Sequence, residues 1–147
     1  LAEATRESGF FKAVFDLLKA NKPTGYTILN RFPEAKPDSY PYMIAGDIRT
    51  NDDKITMGDD DPAFEADARQ LIEFYCAIAD SNDNSKNRND DAKSYTRNVL
   101  KTNTSSLHTA GLGLAQNGAF ADIPTDTIII NGVKVRYCGF EVNYKVD

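Results

Sequence analysis

The chain has no tryptophan, one histidine (His108) and two cysteines (Cys76 and Cys138) among its 147 residues. Ligands so few and so far apart do not make a His/Cys metal centre. Each cysteine sits in a strand-like segment, which predicts two buried free thiols and a protein made in a reducing cytosol. No apolar run approaches the roughly 18 residues of a membrane-spanning helix. The first residues, "LAEATRESGF", have neither a basic n-region nor an apolar h-region, so no secretory leader is expected. Cations are outnumbered, 17 Lys and Arg against 22 Asp and Glu, for a net charge of −5. That balance lacks the basic footprint of nucleic-acid binding.

What is present is an ordinary globular composition, 41% apolar and 27% charged, in a length that predicts one domain over 1–147. Phe10, Phe11, Val14, Phe15 and Leu18 form a helical stripe, with Thr5 or Ser8 as candidate N-caps and Asn21 and Pro23 closing the helix. "YTIL" (26–29) reads as a short strand. Three prolines, Pro33, Pro37 and Pro41, then lead into "YMIAGDIRT" (42–50), a strand candidate. Proline suits such a lead-in because it fixes φ and offers no backbone donor. "NDDKITMGDDD" (51–61) is a polar connection or hairpin. In "RQLIEFYCAIAD" (69–80), Ile72, Phe74, Cys76 and Ile78 share one uncharged face, the expected core face against Phe11, Val14, Phe15 and Leu18. A second helix is expected to start at Asn89 or Asp90 and to bury Ala92, Tyr95, Val99 and Leu100. Residues 102–124 show no period and read as a mobile glycine-rich loop. The end, "TDTIIINGVKVRYCGFEVNYKV" (125–146), is a β-hairpin turning at Asn131-Gly132. Its alternation changes phase at Tyr137–Cys138, beside Gly139, which suggests a bulge or bend. The resulting class is α+β: a mostly antiparallel sheet, two helices on one face and a C-terminal hairpin.

Patterns that carry chemistry are incomplete. Ser105 and Ser106 lie near His108 without a G-x-S-x-G elbow. Gly111, Gly113 and Gly118 follow no strand and lack the Lys-Ser/Thr of a phosphate loop. In "DSNDNSKNRNDD", Asp80, Asn82, Asn84 and Asp91 fit calcium-loop positions 1, 3, 5 and 12. However, Ser85 replaces the glycine, Asp91 the glutamate, and Lys86 and Arg88 intrude. Calcium is therefore not expected there, nor at Asp59–Asp61. No catalytic, metal or cofactor residue is assigned, and no enzyme activity is expected.

The order of elements resembles siphophage tail-terminator and tail-completion proteins. Pro41, Tyr42, Met43 and Ile44 match the family's proline-led strand start. Leu71–Ala79 matches its central strand, Ala92–Lys101 its helix, and Ile128–Val146 its closing strand pair. The chain departs from the pattern in 80–91 and 102–124. The resemblance implies a structural virion protein of the tail or neck, assembled in the host cytoplasm. It would form a ring, typically a hexamer, that ends tail-tube polymerisation and meets the head–tail connector. Its partners would be itself, the tail tube protein and the connector protein, with no membrane and no specific nucleic acid. Alternatives are a connector or stopper, a tail tube subunit or, in a different class, a small-molecule-binding domain or enzyme. The expected ring contacts are Pro41, Tyr42, Leu112, Leu114, Phe120, Phe140, Val142 and Tyr144. The last three sit on a hairpin arm long enough to outrun its own sheet.

Overall fold

The computed structural model describes the backbone of residues 2–30, 40–54, 64–79, 83–116 and 118–146, with side chains except at 2–7, 51–54 and 64–66. Pro33, Pro37, Asp59–Asp61, Asp80 and Asn82 lie outside the described residues. The elements are α1 (Ala2–Ala20), β1 (Thr27–Leu29), β2 (Tyr42–Ala45), β3 (Arg49–Lys54), β4 (Phe64–Ala77), α2 (Ser85–Thr102), α3 (Thr104–Thr109), β5 (Leu112–Leu114), β6 (Phe120–Ile130) and β7 (Val133–Val146). The α+β class and the closing hairpin are as expected.

The sheet runs β1-β2-β4-β7-β5, with β3 beside β2 on the flank of β4 and β6 beside β5 on the flank of β7. Only the β1–β2 pair is parallel among the described strands. The centre is the antiparallel ladder of β4 and β7, unbroken from Asp67–Lys145 to Ala77–Val135. On one face of that ladder Ala68, Gln70, Ile72 and Phe74 stand beside Tyr144, Val142, Phe140 and Cys138, all buried. The helices cover this face with Phe10, Val14 and Leu18 of α1, Ala92, Val99 and Leu100 of α2, and Leu107 of α3. Phe11 and Phe15 pack at the margin of the same core. Period-2 burial in β4 thus meets period-3.6 burial in the helices, as the two patterns require.

Several expectations are corrected. Thr5 and Ser8 lie inside α1, which starts at Ala2. Asn21 does close it, through Nδ2 and its backbone N–H to Leu17 O at 3.0 and 3.1 Å. The strand expected over 42–50 breaks between β2 and β3. There the Gly46 N–H bonds Leu71 O at 2.9 Å, and Gly46 O accepts Gln70 Nε2 at 2.9 Å. Ile78 lies past the end of β4 and is only half-buried. α2 starts four or five residues early, at Ser85. Asn84 holds the cap position without a side-chain bond, while Asp83 Oδ1 accepts the Ser85 N–H at 3.0 Å. Asn84 and Asp91 therefore lie at the cap and within the helix, and the calcium-loop spacing does not form a loop. Tyr95 is exposed at 46%. Residues 102–124 are not one loop: α3 and β5 occupy them, and Leu107 and Leu112 reach the core. Both elements are too short to show a period, and only tertiary packing orders them.

The hairpin turns at Asn131 (φ 49°) and Gly132 (φ 81°), the two left-handed residues of a type I′ turn. The phase change along β7 is not a bulge in β7, whose register with β4 has no shift. The irregularity lies across from it in β6, between Ile123 and Asp126. β7 buries Cys138 to Tyr144 under the helices and Val135 on the opposite face, so its apolar parity switches midway. Gly139 sits at the switch, where a Cβ would collide with the backbone carbonyl oxygen of Ile72.

Candidate assembly surface

The face of the sheet away from the helices carries a second apolar cluster. Tyr42, Ile44, Tyr75 and Val135 form its buried centre, flanked by Leu29, Tyr40, Ile128, Ile130, Val133 and Tyr137. It crosses the whole sheet, from β1 at one margin to β6 at the other. Its spine is a tyrosine ladder: ring centroids are 5.2 Å apart for Tyr40–Tyr42, 5.0 Å for Tyr42–Tyr75 and 5.1 Å for Tyr75–Tyr137. The ladder follows from register, since Tyr42 pairs with Tyr75 and Tyr75 with Tyr137 on successive strands. Sequence reasoning misses it because alternation puts Tyr75 on the strand face that also carries the charged Glu73. A signal existed: Tyr42, Tyr75 and Tyr137 each share their strand's parity with further apolar residues.

Beside the ladder, a cleft of about 550 Å³ opens over the β2–β3 break. Asp47, Arg49, Asp67, Arg69, Glu73 and Glu141 line it, mixing both signs of charge. Glu73 accepts the Tyr75 hydroxyl at 2.9 Å. Burial pushes the Tyr42, Tyr75 and Tyr137 phenols above their ordinary value, and the Glu73 carboxylate adds to this. Burial alone does the same to Tyr144, and burial first of all to Tyr26. Burial also raises the Cys76 thiol, and takes Cys138 to about 11; both cysteines are free and buried.

These phenols set a pH dependence. An unfolded tyrosine ionises near pH 10, whereas the buried ones hold their protons to higher pH. Their contribution to stability is therefore complete below about pH 10 and declines as pH rises further. We expect phenolate absorbance from these residues to appear only together with loss of the far-UV circular dichroism signal. Normal titration near pH 10 in a chain that stays folded would contradict it.

The eight residues expected at ring contacts fall into two groups. Tyr42, Leu112, Phe140, Val142 and Tyr144 are at most 1% exposed, and Pro41 is buried too. These six serve the subunit's own interior and offer no surface to a neighbour, which corrects their assignment. The arm that holds Phe140, Val142 and Tyr144 does not outrun its sheet at this end. β4 pairs one of its sides, and β5 and β6 pair the other. Leu114 and Phe120 are half-buried. The exposed apolar residue of the hairpin is instead Ile129, 69% accessible, on β6.

His108, Ser105 and Ser106 all lie in α3. No cluster of three or more His, Cys, Asp or Glu side chains able to hold a metal occurs among the described residues. No helix among them is long and apolar enough to cross a membrane. No protein-family model matches the chain, and no curated protein matches it.

Proposed function

We propose that this chain is a structural virion protein, the subunit of a ring at the head-proximal end of a viral tail tube. The ring, a hexamer by the family pattern, ends tube polymerisation and joins the tail to the head connector. The observation that carries the reading is the apolar belt opposite the helices, whose half-buried flanks Leu29, Ile128 and Ile130 lie at the two margins of the sheet. The three helices among the described residues lie on one face, and the apolar belt on the other reaches both margins of the sheet. A belt that reaches β1 and β6, each paired on one side only among the described strands, suits lateral assembly of copies. The element order supports the same reading: an N-terminal helix, a proline-led β2, a long central β4, a helix and a closing hairpin.

The test is light scattering on purified protein followed by electron microscopy. We expect particles of one size that are closed rings, and we expect them to stop elongation when added to polymerising tail tube protein. Tubes that lengthen without limit would indicate a tube subunit instead. A monomer at every concentration, inert toward the tube protein, would remove the reading.

A further inference from the structure

We propose that copies of this chain join head to tail by strand pairing. The β6 edge of one copy takes up the β1 edge of the next in antiparallel register, so that the sheet continues from subunit to subunit. The proposal rests on the ring reading above and names its contact.

Four strands are paired on one side only among the described strands: β1 and β3 at one margin, β5 and β6 at the other. β3 carries Arg49, Asp52, Asp53 and Lys54 and β5 is three residues long, which leaves β1 and β6 as the candidates. An open strand edge is a template for another strand, and proteins guard such edges with charge, proline or bulges. β6 is guarded along its first half and bare along its second. The first half has the register shift, Pro124, and two ties to α2: Lys93 to Asp122 at 2.8 Å and Thr125 to Asp90 at 2.8 Å. The second half is Thr127-Ile128-Ile129-Ile130, without a charge or a proline. There the hairpin also runs past β4, whose pairing with β7 stops at Ala77–Val135. β1, Thr27-Ile28-Leu29, is bare in the same way.

Direction and face select these two edges for each other. β1 runs with β2, β2 against β4, β4 against β7 and β7 against β6. A second copy placed in the same orientation therefore lays its β1 antiparallel to β6, the stronger pairing. Setting Ile128 opposite Leu29 then puts Ile129 opposite Ile28 and Ile130 opposite Thr27. The faces agree at every step. Leu29, Ile128 and Ile130 belong to the tyrosine-side belt, and Thr27 shares that face as the partner of Tyr42. Ile28 packs on the helix side, the side to which Ile129 projects. The belt of one copy thus meets the belt of the next, and the exposed Ile129 gains an apolar partner.

Charge favours unlike margins. β6 carries exposed Asp122 and Asp126. The ground around β1 carries exposed Lys19, Lys22 and Arg88. Unlike margins make a head-to-tail contact, which closes into a ring when the rotation allows. The register fits closure. Within one subunit Asp126 lies level with Thr27 across the sheet, so the proposed pairing staggers each copy by four residues. Four residues rise about 13 Å over a five-strand width of about 24 Å, a strand tilt of roughly 30°, close to that of closed sheets.

The experiment uses the full chain with three changes. Ile129→Lys is at an exposed position, so its melting curve should match wild type while assembly needs at least tenfold more protein. Ile28→Cys combined with Ile129→Cys should give a ladder of covalent multimers on mild oxidation, since directly opposed Cβ atoms lie about 5 Å apart. The native thiols are buried and stay out of this reaction. Each single cysteine variant should remain uncrosslinked. Efficient dimers from Ile129→Cys alone would mean that β6 pairs with β6, and would overturn the proposal. So would wild-type rings that persist in Ile129→Lys without a ladder in the double variant; the ring reading would then stand with its contact elsewhere. A wild type that stays monomeric throughout would end both.

Discussion

Phe74→Ala is expected to lower the unfolding free energy by about 3–5 kcal/mol, the range for emptying a fully buried phenylalanine site. Phe74 is inaccessible to solvent and lies in the middle of β4, between Met43 of β2 and Cys138 of β7. Its ring meets Tyr26 edge-on, with centroids 6.2 Å apart, and Phe140 at 6.2 Å in a tilted contact. Strands flank it and helices roof it, so the site has little freedom to collapse around the lost ring. Chemical denaturation followed by circular dichroism would measure the change. Ile78→Ala is the internal comparison: Ile78 was expected on the same face but is half-exposed past the strand's end, and about 1 kcal/mol or less should be lost. Equal effects at the two positions would mean that the core does not end where β4 ends.

The second large effect is expected at Asn89. It is wholly buried in α2 and holds three groups at once. Its Oδ1 accepts the Tyr26 hydroxyl at 2.6 Å, and its Nδ2 donates to Arg136 O at 2.8 Å and Phe74 O at 3.3 Å. One amide therefore ties the helix to the lead-in of β1 and to both central strands. Asn89→Ala strands the Tyr26 hydroxyl in a buried site and should cost about 3 kcal/mol, since each unsatisfied buried group costs roughly 1–3. Tyr26→Phe removes the hydroxyl instead of stranding it, and about 1 kcal/mol should suffice. On the Tyr26→Phe background, Asn89→Ala should cost less than in wild type, a coupling of about 1–2 kcal/mol. Strict additivity would show that the hydroxyl finds another partner.

Asn89 also shows where sequence reading reaches its limit. Asparagine before an apolar helical stripe fits an N-cap, and nothing local distinguishes that from a buried amide whose partners are 15 to 63 residues away. Features that depend on nearest neighbours were legible. Asn131-Gly132 marked the hairpin, and the uncharged parity of Ile72, Phe74 and Cys76 marked the core face of β4. Features that depend on which strands become neighbours were not. The length of β7 suggested an arm reaching beyond its sheet, whereas it reflects a central strand with partners on both sides. The same error put Phe140, Val142 and Tyr144 at a subunit contact, because a strand's apolar residues look alike whether a helix or another subunit covers them. The bare half of β6 could be read as uncharged, but only the topology shows that it is an edge.

The central place of β7 bears on how the chain is made. β7 emerges from the ribosome after every other element described here, yet it occupies the middle of the sheet, between β4 and the β5–β6 side. Until it arrives, β4 has an open edge along most of its length, and α2 has only half its floor. Contacts this distant in sequence form slowly, and open strands exposed meanwhile invite aggregation. Folding during translation must therefore wait for the last strand, and a ribosome-stalled chain lacking β7 is a natural client for chaperones that hold exposed strands.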